Sequence, residues 1–271
     1  MARQPLRGCT LGDELTNGGA ARTPTYDARP GGAASAADPT QAYTVQPLYV
    51  LPRDGADHGL AADGTISRSV AAMQHWLAEQ TDGARLRVLT GPVATVRINE
   101  PEAQIAAHGA FVRDRVEVLL RHEGYDDPHR LYAVWYDGTS TFSCGGGAWP
   151  PELAGHVAAL YLQGHYDGVD CALDRFSSDG TTVEINELKM LHEILHTLGL
   201  VARAAPHHTR EGHTSDSPTD LMYGGDAAWE PSALDVGHDD YYLTGRNDIP
   251  DLGRSVFLDP LPARPTPPPG W

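Results

Sequence analysis

Residues 181–199 read TTVEINELKMLHEILHTLG, and their apolar positions recur with the period of an α-helix. The pattern predicts a helix that begins at a capping box, in which Thr181 accepts from a first-turn amide and Glu184 reaches back. Gly199 follows the last turn and suits the left-handed backbone that ends many helices. Four leucines form the stripe that we expect to be buried: Leu188, Leu191, Leu195 and Leu198.

Two histidines on this helix are predicted to meet a single metal ion. His192 and His196 are four residues apart, so they lie one turn apart on the same side. Glu193 lies beside them, where a carboxylate can polarise a water bound to that ion. His-Glu-x-x-His is short enough to occur by chance in a chain with 13 histidines. The capped helix, Gly199 and the downstream Met222 nevertheless favour a zinc site over two surface histidines.

These motifs resemble those of the metzincin clan of zinc metallopeptidases. They are HEILHTLG at residues 192–199 and LMY at residues 221–223. The longer stretch GHTSDSPTDLMY at residues 212–223 is similar to one in bacterial metzincin-like proteins. The resemblance extends over residues 41–261 and implies an α+β fold, a mixed sheet with packed helices. In that fold the active-site helix lies between an upper subdomain, residues 41–199, and a lower subdomain, residues 200–261.

The resemblance implies a zinc-dependent endopeptidase that acts on peptides or proteins. Zn²⁺ activates a water, Glu193 is the general base, and Met222 forms an apolar floor beneath the metal without binding it. Asp216 and Asp220 either orient a ligand imidazole and the Met-containing turn or simply cap turns. The alternative is a non-proteolytic zincin-fold binding protein. The intact Glu193 favours the enzyme, because a metal-binding scaffold requires no base there.

The third metal ligand departs from the clan pattern. The position three residues after Gly199, where the clan has a histidine, is Ala202, which cannot bind metal. The ligand must therefore come from elsewhere. We favour His213, because an insertion after Gly199 can loop out and return it, and Gly212 permits a close approach. The other candidates are His207, His208, Glu211 and Asp216.

The rest of the chain alternates between strand and helix patterns. This β-α-β-α-β order predicts a mixed sheet with helices packed on it. Residues 1–40, rich in Gly, Ala and Pro, are expected to be a flexible leader, and residues 262–271 a Pro-rich tail. Strands are predicted at 43–51, 86–89, 93–98, 131–136 and 157–162, and helices at 66–80 and 102–122.

The charge of the chain limits its partners. Among 271 residues, 36 are acidic and 20 are Lys or Arg, a net charge of −16. Such a surface repels phosphate backbones and anionic lipids, so we expect neither nucleic acid nor membrane as a partner. No apolar run approaches the roughly 18–20 residues that span a bilayer. We expect a monomer.

Two cysteines bear on the compartment. Cys144 and Cys171 are 27 positions apart, and we expect a disulfide between them rather than two reduced thiols. A disulfide indicates an oxidising compartment, so we expect the protein to be secreted. The first residues show no apolar signal segment, so this localisation rests on the cysteines and on the resemblance.

Overall fold

A computed structural model describes residues 43–271, so the leader expected at residues 1–40 lies outside the described residues. A five-stranded sheet with the order β3-β1-β4-β6-β5 occupies the N-terminal part of this region. The first four strands in that order are parallel, and the edge strand β5 runs antiparallel to β6. The strands are β1 (Thr44–Leu51), β3 (Ala94–Arg97), β4 (Arg130–Tyr136), β5 (Gly145–Gly146) and β6 (Val157–Tyr161).

Helices cover both faces of this sheet, which explains why β6 is buried along its whole length. Trp135 of β4 lies in register with Tyr49 of β1 and Leu160 of β6, and all three belong to one core. The neighbouring positions Val134 and Ala159 belong to a second core on the opposite face. The helices are α1 (Thr65–Gln80), α2 (Glu102–Ala106), α3 (Val112–His122) and α4 (Ile185–Thr197). The predicted α+β class, a mixed sheet with packed helices, is confirmed.

The predicted helix at 102–122 is wrong as a single element. A 3-10 turn, Gly109–Phe111, separates α2 from α3. Gly109 has φ 56°, a left-handed conformation that a right-handed helix does not accommodate. The periodicity continues across this break because Ile105 and Val112 both contribute to the second core.

The start of α4 also differs from the prediction. Glu184, rather than Thr181, is the N-cap, and Glu187 completes the capping box by accepting from the Glu184 amide at 2.8 Å. Asp179 Oδ1 accepts a hydrogen bond from the Thr181 amide at 2.8 Å. Residues 179–181 therefore form a turn, and the helix begins about one turn later. The predicted end is confirmed, because Gly199 follows the helix with φ 74°.

Residues 200–271 contain little regular structure. They include the 3-10 turns Arg210–Gly212 and Leu252–Arg254 and the strand β9 (Leu258–Asp259). Strand β9 pairs antiparallel with β2 (Arg85–Leu86), which returns the chain to the N-terminal part. The Pro-rich end lies against the body of the protein, where the Trp271 indole stacks on His156 with centroids 4.0 Å apart.

The predicted disulfide between Cys144 and Cys171 is confirmed, with the two Cα atoms 5.5 Å apart. It joins the residue before β5 to the short turn after the hairpin of β7 (His165–Tyr166) and β8 (Val169–Asp170). Among residues 43–271, no helix combines the length and the apolar character needed to cross a bilayer.

Candidate metal centre

Helix α4 is almost entirely buried between the sheet and the C-terminal part of the chain. Leu191, Leu195 and Leu198 lie in the core as predicted, whereas Leu188 is only partly buried. The helix packs against β6 and α1. The face that carries His192 and His196 is also buried, with 3% and 5% of these residues exposed. These two imidazoles are therefore held inside the protein rather than displayed on its surface.

His213 joins these two histidines. The Nε2 atom of His196 lies 2.9 Å from Nε2 of His192 and 3.2 Å from Nε2 of His213. Three ligands around one tetrahedral zinc, at about 2.0–2.1 Å each, have nitrogens about 3.3 Å apart. The three ring nitrogens therefore converge at the spacing that a single ion requires.

Backbone carbonyls orient two of the three rings. His192 Nδ1 lies 2.7 Å from the Leu221 carbonyl, and His213 Nδ1 lies 3.0 Å from the Arg210 carbonyl. A carbonyl only accepts, so each Nδ1 carries the proton and each Nε2 presents a lone pair to the centre. This is the arrangement in which histidine binds a metal.

Burial keeps the three imidazoles neutral. It lowers the pKa of His192 to about 3, with a further contribution from a charge on His213. It lowers the pKa of His213 to about 4, and it holds the pKa of His196 well below the ordinary value. A neutral imidazole is the form that coordinates a metal, so the donor set is in the right state near neutral pH.

The contacts around His196 fit a metal ion better than they fit a hydrogen-bond network. Its Nε2 faces two other ring nitrogens, but it carries at most one proton, so at most one of these contacts is a hydrogen bond. Its Nδ1 is buried and has no hydrogen-bond partner among residues 43–271. A cation between the three Nε2 atoms would turn this repulsive arrangement into a stable one.

The segment between Gly199 and Met222 places His213 beside His192 and His196. Residues 200–212 turn away from the helix, and Gly212 reverses the chain with φ 78°. Thr214, the residue after His213, donates its amide to the Met222 carbonyl at 2.8 Å, which fixes the chain beside the Met-containing turn. Gly224 lies against the His213 side chain, because a Cβ at position 224 would be 2.6 Å from His213 Cβ.

Asp220 holds the Met-containing turn. Its Oδ1 accepts from the Met222 amide at 2.7 Å and from the Tyr241 hydroxyl at 3.0 Å, and its Oδ2 accepts from the Val236 amide at 2.8 Å. Met222 is fully buried in the main core. Of the two roles left open for Asp220, the structure therefore supports pinning the turn. Asp216 lies apart from the three histidines.

The other candidate ligands do not belong to the group of three histidines. His207 pairs with Asp240, with Nδ1 3.0 Å from a carboxylate oxygen. His208 stacks on the Trp149 indole with centroids 5.6 Å apart. Glu211 lines the cleft beside His213.

Glu193 faces a cleft next to the histidines. The residue is fully buried, and a Cβ on Gly145 would lie 2.6 Å from its Oε1, so β5 passes directly over the carboxylate. The cleft contains about 600 Å³ of empty space, part of it open to solvent. Its lining includes Arg113, Trp149, Tyr161, Glu193, His196 and His213.

Three supporting residues are not evident from the sequence. Trp229 donates its indole N–H to the Leu221 carbonyl at 3.1 Å, the same carbonyl that orients His192. Thr197 accepts the Ala148 amide at 3.2 Å and so ties α4 to the chain beyond β5. Gly224 leaves room for His213. Only Gly224 carries a signal, as the first of two glycines directly after the Leu221–Tyr223 motif.

Comparisons with known proteins give little further information. No family model matches the chain, and no curated protein matches it. Among solved structures it is similar to a chain in the structure of a chaperone–substrate complex, with 16% sequence identity and a TM-score of 0.35. That match covers 68% of this chain and 28% of the other, so this chain spans little more than a quarter of its length.

Proposed function

We propose that this protein is a secreted zinc metallopeptidase of the metzincin type. The observation that carries the proposal is the convergence of the His192, His196 and His213 Nε2 atoms beside the buried Glu193 carboxylate. Three imidazoles with a carboxylate close by are the donor set of catalytic zinc sites, which keep one position open. When bound, zinc would polarise the scissile carbonyl and lower the pKa of a water molecule.

The protein's own groups transfer the proton, orient the imidazoles and exclude water. Glu193 accepts the proton of the attacking water and then delivers it to the leaving amine. The Leu221 and Arg210 carbonyls keep the lone pairs of His192 and His213 directed at the centre. Burial of these groups excludes bulk water, which strengthens their electrostatic effect on the developing charge.

The edge strand β5 supports an extended peptide as the substrate. It is the last strand of the sheet and borders the cleft, so a peptide can add to it as a further strand. A Cβ on Gly147 would lie 2.6 Å from the Glu193 carbonyl, which shows how closely this segment approaches α4. A peptide paired with β5 would therefore pass over Glu193 and the three histidines.

The division of the chain supports the metzincin comparison. The sheet and α4 fall within residues 41–199, the proposed upper subdomain, and the largely irregular residues 200–261 form the proposed lower one. The net charge of −16 disfavours nucleic acid and anionic lipid as partners. The disulfide between Cys144 and Cys171 supports secretion. We propose that the protein acts as a monomer.

Digestion of casein and of a peptide library, followed by mass spectrometry, tests this proposal. Cleavage should be abolished by a zinc chelator and restored by one equivalent of Zn²⁺. The chain should bind one zinc at this centre. Zinc binding without cleavage of any peptide would refute the peptidase and leave the non-proteolytic binding protein. Absence of zinc binding would refute the metallopeptidase and leave a metal-free binding protein.

A further inference from the structure

A second group of potential metal ligands lies in the C-terminal half, away from the three histidines. Asp235, Asp239 and Asp240 each contribute a carboxylate oxygen, and these atoms all lie within 4.8 Å of one another. Asp235 is 3% exposed and Asp240 is fully buried. We call these three residues the aspartate cluster. Buried carboxylates this close together repel unless they are protonated, paired or coordinated.

The donors around the aspartate cluster leave part of it unsatisfied. Asp235 Oδ2 accepts from the Tyr241 and Tyr242 amides at 2.9 and 2.7 Å. Its other oxygen, Oδ1, is buried and has no hydrogen-bond partner among residues 43–271, and the same is true of Asp239 Oδ1. His207 Nδ1 lies 3.7 Å from Asp239 Oδ1, which is too far for a hydrogen bond. Two buried carboxylate oxygens in one cluster therefore lack a donor.

We propose that the aspartate cluster binds a Ca²⁺ ion. Its ligands are carboxylate oxygens, the donors that a hard cation prefers, and Ca²⁺ completes six to eight ligands with carbonyls and water. Within residues 43–271, the neighbouring imidazole of His207 forms a separate group with Asp216 and Asp240 and is already paired with Asp240 at 3.0 Å, so the aspartate cluster itself offers only the oxygen donors that zinc favours less. Mg²⁺ demands a strict octahedron, whereas Ca²⁺ accepts the irregular geometry of a turn.

A cation at the aspartate cluster would stabilise the two chain segments that support the metal centre. Val236 and Tyr241, from the same turn as the aspartate cluster, both donate to Asp220, which pins the turn at Met222. Asp240 also lies within 4.8 Å of Asp216, three residues after His213. An ion at the aspartate cluster would therefore hold both the Met-containing turn and the chain that carries His213.

Thermal unfolding of the zinc-loaded protein tests the proposal. At about pH 7.5, about 5 mM Ca²⁺ should raise the unfolding temperature by at least about 3 °C, and the same Mg²⁺ concentration should raise it less. Tb³⁺, a luminescent substitute for Ca²⁺, should be sensitised by nearby tyrosines, and Ca²⁺ should displace it. Asp239→Asn is a suitable variant, because the side chain of Asp239 is 44% exposed and the substitution keeps its size. It should lose the response to Ca²⁺.

Asp126→Asn is the matched control, since it removes one exposed carboxylate from the loop after α3 and should respond like the wild type. An unfolding temperature that Ca²⁺ does not change would overturn the proposal, as would an Asp239→Asn variant that responds fully. A second zinc equivalent bound at the aspartate cluster in place of Ca²⁺ would also overturn it. So would a protein that is more stable at pH 5 than at pH 7 and indifferent to Ca²⁺ at both, because protons would then hold the cluster.

Discussion

His213 Nε2 lies 3.2 Å from His196 Nε2, although the two residues are 17 positions apart and only His196 belongs to α4. The helix alone therefore supplies two of the three nitrogens. The third depends on the return of the chain beside Met222, through the hydrogen bond from the Thr214 amide to the Met222 carbonyl. The centre is thus shared between a rigid helix and an irregular segment, and changes in either part should be separable by experiment.

Replacing His213 tests whether it is a zinc ligand. His213→Ala leaves two imidazoles, so the zinc affinity should fall by at least about 100-fold and peptide hydrolysis should fall with it. Zinc content after dialysis against a competing chelator measures the effect. His208→Ala is the control, because His208 stacks on Trp149 and lies outside the group of three. Equal zinc retention in the two variants would contradict the assignment of His213.

Replacing Glu193 separates catalysis from metal binding. Glu193→Gln keeps the three histidines and the size of the side chain but removes the base, so hydrolysis should fall by several orders of magnitude. The zinc content should stay close to that of the wild type. Glu123→Gln, which changes an exposed residue after α3, should retain full activity. Full activity in the Glu193 variant would remove this residue from the mechanism.

Replacing Gly224 and Gly145 should separate effects on metal binding by His213 from effects on catalysis by Glu193. Gly224→Ala places a Cβ 2.6 Å from His213 Cβ, so the ligand must move and the zinc affinity should fall about tenfold or more. Gly145→Ala places a Cβ 2.6 Å from Glu193 Oε1, a flexible side-chain end that can move aside. That variant should keep its zinc but lose about 10- to 100-fold in kcat/KM. Zinc titration and peptide kinetics on both variants check this, and the opposite pattern would refute it.

The sequence was sufficient for the parts of the site that depend on local geometry. Helical periodicity places His192 and His196 on one side of α4, and Gly199 ends the helix as expected. The predicted position of the cap is wrong by about one turn, because Asp179 accepts from the Thr181 amide and Glu184 forms the capping box with Glu187 instead.

Long-range contacts could not be predicted in the same way. Trp229 reaches the Leu221 carbonyl across an irregular segment whose path has no periodicity. The pairing of His207 with Asp240 joins residues 33 positions apart, and nothing in their spacing indicates it. Gly212 is a local signal that favours His213, but the approach of His213 to the helix depends on the turn at Met222.

Removing the disulfide should destabilise the protein. Cys144 and Cys171 close a loop of 27 positions, and such a crosslink contributes about 3–4 kcal/mol by restricting the unfolded chain. The double variant Cys144→Ala/Cys171→Ala should therefore unfold roughly 10 °C lower in calorimetry. Reductant should lower the unfolding temperature of the wild type and leave the variant unchanged. An identical unfolding temperature for the two proteins would show that the bridge adds no stability.

The stability of the metal-free protein should depend on pH through His213. Burial lowers the pKa of this imidazole from 6.5 to about 4, so the folded protein binds its proton less tightly than the unfolded chain does. Its contribution to stability is therefore complete above pH 6.5 and is lost as the pH falls toward 4. Asp220 and Asp235 act in the opposite sense, because burial raises their pKa values to about 7 and about 6.

Comparison with His213→Gln removes the proton uptake of His213 together with the effect of its charge on His192 and His196. The two aspartates are common to both proteins, and glutamine does not titrate. Between about pH 6.5 and 4.5, the metal-free wild type should lose on the order of 2 kcal/mol more stability than the variant. Urea unfolding in the presence of a chelator, at a series of pH values, measures the difference. If the two stability curves run parallel, then His213 has the same proton affinity in the folded and unfolded chains, and its burial beside His196 does not hold in solution.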